Sequence, residues 1–332
     1  MGPRRVLVLL SAVLLLVLTP STASAHHPSR DREPQLLASG LSGGFGSTIG
    51  PDGALYVTEP SVGEISRIDP RTGEVTTFAS GLPTNVSTGG AFGGAFDVAF
   101  VGGTAYALVT FVSEDVGGTF LDGIYRIDGP STATLVVDIG TWAAAHPPTT
   151  SFFVPTGVQY AFEPFKGGFL VTDGHHNRVY RVGLDGSIAV QIAFENIVPT
   201  GLAVDGRTVF MAQAGPVPHL PENGKVVTFG PWSTTATTVA SGAPLMVDVE
   251  LGRGHQLYAL AQGVWPLGGP EGSPAAPDTG QLLRVGRHGS LEVLANALDQ
   301  PVSFQVIRGT AYVVTLGGEV WTVDLDGRHG HR

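Results

Sequence analysis

The sequence predicts an all-β chain closed into a six-bladed propeller, with four antiparallel strands to a blade. Three observations carry that reading: a motif recurring six times, turn chemistry about every ten residues, and an orphan strand at the start that matches a strand missing at the end. The motif is clearest in residues 50–82, GPDGALYVTEPSVGEISRIDPRTGEVTTFASGL. Pro51-Asp52-Gly53 and Asp69-Pro70-Arg71-Thr72-Gly73 are turns. Short alternating runs around Tyr56, over 64–68 and over 74–78 have the period of two that a half-buried strand needs, and none offers a helical face.

The unit returns as GTAYALVT with DGIYRID, GGFLVTD with NRVYRVGLDG, RTVFMAQ with GKVVTFG, HQLYALA with GQLLRVGRHG, and GTAYVVT with GEVWTVDLDG. Anchors at Tyr56, Tyr106, Leu170, Phe210, Tyr258 and Tyr312 lie 50, 64, 40, 48 and 54 residues apart, the length of a four-stranded blade with variable loops. The last copy ends at Asp326-Gly327 without an outer strand. PQLLASGL, at 34–41, stands alone before the first blade and resembles TTFASGL at 76–82 and TTVASGA at 237–243. The N-terminal strand is therefore expected to complete the sixth blade and remove an open edge. This gives a propeller over 34–327 and a tail over 328–332.

Residues 1–25 read as a secretory signal: Arg4 and Arg5, an apolar run over 6–18, then Ala23-Ser24-Ala25. The run is too short for a span of about 20 residues, so no transmembrane anchor is expected after cleavage. The product is expected outside the cytoplasm, secreted or periplasmic. Residues 26–33 are polar and read as a disordered lead-in. Cleavage removes two arginines and no acid, leaving 16 basic against 28 acidic residues, a net charge near −12 that disfavours a nucleic-acid partner. There are no cysteines, which excludes disulfides, thiolate metal sites and a cysteine nucleophile. Asn85-Val86-Ser87 matches a glycosylation sequon.

Loop lengths distinguish the two faces of the ring. Turns from first to second strands and from third to fourth strands are short. The long segments 111–121, 215–223 and 264–279 join second to third strands, and 81–94 and 140–155 lead into inner strands, all on the other face. Long loops carry function more often than short ones. The starts of the inner strands are expected to line the axial channel on that face, with a mostly apolar, small lining and Asp97, Thr156 and Thr200 as its polar members.

Candidate chemistry gathers on the same side. Thr172-Asp173-Gly174-His175-His176-Asn177-Arg178 is the most polar short loop; its histidines and carboxylate could ligate a metal or move protons, or Asp173 could cap the turn and pair with Arg178. Consecutive histidines diverge, so His175 and His176 are not expected to share one ion. His219, in the loop 215–223, and the acids Glu114 and Asp115 could converge with them. Glu59 follows the second strand of the first blade and faces the same way, as a site acid or a solvated loop acid. Trp142, Phe152, Phe153 and Trp265 could stack on a planar ligand or pin their loops. GxSxG, HExxH and an EF-hand loop are absent. No cofactor is required; if a divalent cation such as calcium is held, Asp97 is the ligand this reading selects.

The LASGL segment, PDGALYVTE, SRIDPRTGEVTTFASGLP, VPTGV, TDGHHNRVYRV and the closing GEVWTVD resemble the ScyD/ScyE family, proteins named for scytonemin biosynthesis in cyanobacteria and widespread as secreted bacterial proteins. The motifs are shared with NHL-like propellers. The resemblance covers nearly all of 34–327 and implies an exported six-bladed propeller without an established reaction. Gluconolactonase-like propellers hold a divalent ion with acids and amides at inner-strand starts; Asp97 matches in kind, while Gly44-Phe45-Gly46 stands where a glutamate is expected. Streptogramin lyase-like propellers place histidine and glutamate around the channel, whereas His175 and His176 sit in a second-to-third loop. The expectation is a monomeric binding or accessory protein for a small molecule, glycan or envelope protein. A metal-assisted hydrolase or lyase is the alternative.

Overall fold

The computed structural model describes residues 32–86 and 92–327. The expected signal peptide, most of the lead-in and the tail lie outside the described residues, as does Ser87 of the sequon. Six four-stranded antiparallel sheets follow one another around a ring, the first five running outward from the axis in chain order and the sixth taking its outer strand from Gln35–Ala38. The inner strands are Ser47–Ile49, Gly94–Val101, Gln159–Phe165, Pro199–Asp205, Met246–Leu251 and Pro301–Ile307. Each packs beside the next, and the last packs beside the first.

Closure follows the orphan strand. Gln35–Ala38 pairs antiparallel with Val320–Asp324, setting Gln35 opposite Thr322 and Leu36 opposite Trp321, so the sixth blade joins the two ends of the ring. Arg32, within the expected lead-in, already donates its backbone N–H to Leu294 O at 2.7 Å. An exposed strand edge would template pairing with other chains, and this pairing covers it.

The anchor residues fill the wedges between blades. Tyr56 meets Phe78 of its own blade and Phe100 of the next edge-on, each at 4.9 Å. Each aromatic pair of this kind contributes about 0.5–1.5 kcal/mol beyond its buried area. That is why an aromatic or large apolar side chain recurs once per blade. The one α-helix among the described residues, Ile139–Ala145, lies in the long connection before the third blade, where the Asp138 carboxylate caps it by accepting from Thr141 N at 2.9 Å.

The face asymmetry holds. Segments 111–122, 214–224 and 262–279 join second to third strands on the face that also carries 139–158, while Gly102-Gly103 and Arg308-Gly309 are typical of the short turns opposite. No helix among the described residues is long and apolar enough to cross a membrane.

Candidate functional site

Strand register shows what faces the axis. Opposite the six anchors, the inner strands carry Thr48, Ala99, Glu163, Ala203, Glu250 and Gln305. Two residues earlier, on the same face of each strand, stand Gly46, Asp97, Ala161, Gly201, Asp248 and Ser303. Ten of these twelve residues, all but Ala99 and Ala203, line a cavity of about 30 Å³ on the axis, together with Phe45, Ser47 and Tyr160. The cavity has room for water and none for an organic ligand. The channel lining is thus acidic rather than mostly apolar.

Four carboxylates share this space, and no lysine or arginine lines it. Asp97 accepts from Val98 N at 2.8 Å and from Phe162 N of the next blade at 3.0 Å. Asp248 accepts from Val249 N and Phe304 N, both at 2.9 Å. Glu250 accepts from Gln305 Nε2 at 2.6 Å, and the same amide reaches Ser47 O at 3.0 Å. Glu163 and Glu250 are half-buried, where Asp97 and Asp248 are buried. Burial pushes all four carboxyls up. The charge of Asp248 adds to the effect at Asp97, Glu163 and Glu250.

An aromatic stopper closes the channel toward the loop-rich face. Phe45 stacks on Phe96 at 3.5 Å, and Tyr160 meets the two rings edge-on at 5.6 and 5.8 Å. Burial, then the charges of Asp248 and Asp97, push the Tyr160 hydroxyl up. Those acids stand in opposite blades, and Tyr160 lines the axial cavity with them.

The loop residues do other work. Asp173 is fully buried and accepts from four donors: Val158 N at 3.0 Å, His176 N at 2.9 Å, Gln159 Nε2 at 3.2 Å and Tyr180 Oη at 2.8 Å. His175 Nε2 accepts from Phe153 N at 2.9 Å and Val154 N at 3.0 Å, which fixes the end of the long loop. Its proton therefore sits on Nδ1. His176 donates through Nε2 to Val154 O at 3.0 Å. The two imidazole rings lie 5.8 Å apart. Glu59, buried, accepts from Ser42 N at 2.6 Å and Ser66 Oγ at 2.5 Å, tying the first blade to the closing segment.

Thr156 does not face the channel. Its inner strand begins at Gln159, after Gly157 turns the chain at φ 77°, and the hydroxyl donates to Asp115 Oδ2 at 3.0 Å. Thr200 is buried and donates to Met246 O at 2.9 Å. His219 Nδ1 donates to Gly215 O at 2.7 Å, and its ring lies 6.0 Å from that of Trp265, which is buried under its loop. Burial holds both His175 and His219 below the ordinary imidazole value. The Glu271 carboxylate acts on each in the opposite sense. Asp122, also buried, is pushed up to about 6 by burial.

Of the nine residues selected from the sequence, Asp97 alone lines the axial cavity. Among the described residues no three His, Asp or Glu side chains come together as a metal-ligand group. Sequence reasoning passed over Glu163, Asp248 and Glu250, although each stands at a fixed place in the repeat. Counting back seven or eight residues from Leu170 and Tyr258 reaches Glu163 and Glu250, and Asp97-Val98 recurs as Asp248-Val249.

No family model and no curated protein matches the chain. Solved structures do. A PQQ-bound aldose sugar dehydrogenase from Streptomyces coelicolor matches with TM-score 0.61 at 15% identity, over 90% of this chain and 99% of that one. A gluconolactonase from Xanthomonas campestris matches with TM-score 0.59 at 12% identity, over 91% and 93%. Virginiamycin B lyase from Staphylococcus aureus matches with TM-score 0.52 at 12% identity, over 88% and 98%. At such identities the likeness is one of fold.

Proposed function

We propose that this chain is an exported binding propeller of the ScyD/ScyE type, and that its loop-rich face recognises an envelope or extracellular protein. The observation that carries the reading is where large apolar side chains meet solvent. Phe153 is 69% exposed, Leu267 83% and Val264 56%, and Phe120, Val217 and Leu220 are exposed with them, all in loops of one face. Concentrated exposed apolar surface of this kind marks interaction sites.

Two further features support a protein rather than a small ligand on this face. The channel beneath is stoppered by Phe45, Phe96 and Tyr160, so this axis offers no deep pocket. The loops are held in place: Val264 N donates to Thr279 Oγ1 at 2.9 Å, Ala275 N to Gln262 Oε1 at 2.9 Å, and the 146–155 segment is tied by His175. Surface ordered before binding loses less entropy on association.

The test is affinity capture from the source organism's envelope and culture medium with three forms of the protein. Wild type and Trp232→Asp, a change at an exposed residue of the opposite face, should retain the same partner. Phe153→Asp/Leu267→Asp should lose it. Retention by the double variant, or a partner that proves to be a glycan or small molecule, contradicts the reading.

A second reading, a divalent-metal hydrolase or lyase, draws on the four channel carboxylates, which line one cavity without forming a ready ligand set. An ion bound only by the folded chain raises its melting temperature. A rise with calcium, magnesium, manganese or zinc, abolished in Asp248→Asn, supports it, and a flat response removes it.

A further inference from the structure

A second hollow lies away from the axis, on the flank of the third blade. It has a volume of about 480 Å³, within the range of small-molecule sites. Its roof is built by the connection before the blade. Asp138 caps the helix Ile139–Ala145, Pro147-Pro148 carry the chain outward, and His175 ties its return at Phe153 and Val154. Its floor is the outer half of the sheet, where Arg178 pairs with Ala193.

Arg178 is the one permanent charge lining this hollow. It is 6% exposed, and its Nη1 donates to His146 O at 2.6 Å. Among the described residues no carboxylate comes within ion-pair distance of it. Asp173 lies across the hairpin, yet its two oxygens are occupied by Val158 N, His176 N, Gln159 Nε2 and Tyr180 Oη. A guanidinium has five donors in a fork that matches a carboxylate. A buried cation without a contacting anion is costly to keep. Thr150 Oγ1, also lining the hollow, is buried without a hydrogen-bond partner. The walls are flat and apolar: the Trp142 indole with His146 stacked on it at 4.2 Å, and Phe194.

The geometry points to a binding site for a small organic monocarboxylate with a planar or aromatic body, its carboxylate on Arg178 and Thr150 Oγ1, its ring between Trp142 and Phe194. The site lies beneath the 142–150 segment of the loop-rich face, and its binding of a small acid does not rest on the protein partner proposed for that face. Tight desolvated contact with Arg178 makes the negative charge the recognised feature, so the neutral amide of the same acid leaves the guanidinium unpaired.

The test is calorimetric titration of the purified protein with indole-3-acetate and benzoate, and with indole-3-acetamide and benzamide as neutral matches. At least one acid should bind saturably, ten-fold or more tighter than its amide. Arg178→Gln should abolish that preference. Because Arg178 is buried, Val190→Asp serves as the second variant: residue 190 lies exposed at the rim, and a carboxylate there should weaken the acid about ten-fold while sparing the amide. Equal affinity for acid and amide, no saturable binding of either acid, or acid binding unaffected by Val190→Asp overturns the assignment.

Discussion

Asp97 and Asp248 are one residue of the repeat used twice, three blades apart. Each accepts from the backbone of its own strand and of the following blade, through Phe162 N and Phe304 N. Each also lies against a glycine of the preceding blade. A Cβ on Gly46 would come within 2.2 Å of Asp97 Oδ1, and one on Gly201 within 2.2 Å of Asp248 Oδ1. Each aspartate therefore links three consecutive inner strands. The glycine in the first blade, where a gluconolactonase-like propeller is expected to hold a glutamate, is required by this packing.

Gly46→Ala and Gly201→Ala should each destabilise the fold by about 1–3 kcal/mol, the usual cost of overpacking a filled site. The new atom meets aspartate backbone as well as side chain, so rotation alone cannot relieve it. Urea unfolding measures the effect, and an unchanged midpoint would show that the inner strands can move apart.

Stability should rise as pH falls from 8 toward 5. The channel carboxyls and Asp122 bind protons more tightly folded than unfolded. Their stabilising contribution is complete below the ordinary carboxylate range and is lost as pH rises through the folded values, about 6 for Asp122 and raised for the channel acids. Melting temperatures across that interval check the sign. Asp248→Asn, which cannot ionise, should flatten the slope.

Removing residues up to Ala38 takes away the strand that Val320–Asp324 pairs with and leaves Trp321 and its neighbours on an open edge. The shortened chain should melt several degrees lower and associate in a concentration-dependent way, as light scattering would detect. A monomer of unaltered stability would show that closure by this strand is dispensable.

His175→Ala removes the acceptor of Phe153 N and Val154 N. It should cost roughly 1 kcal/mol globally and expose 146–153 to limited proteolysis well before the rest of the ring opens. Cleavage elsewhere first would assign His175 a different part.

Blade number, closure and the loop-rich face were legible because turn chemistry and period-two runs are local signals. The axial acids were harder to read. Each inner strand from the second blade to the sixth carries a bulge, as between Ala95 and Asp97 or Met246 and Asp248, and one extra residue decides which side chains face the channel. Val154-Pro155-Thr156-Gly157 reads as a strand entry that would set Thr156 on the axis, whereas Gly157 delays the strand to Gln159. The pairing of His175 with the Phe153 backbone, 22 residues apart, and the hollow over Arg178 depend on how a long loop returns, which no periodicity encodes.

The most direct test of recognition by the loop-rich face is hydrogen exchange of the protein with and without its captured partner. The account predicts protection in 111–122, 139–158, 214–224 and 262–279 and none in the turns around Gly102, Leu184 and Arg308. Protection confined to those short turns would contradict it.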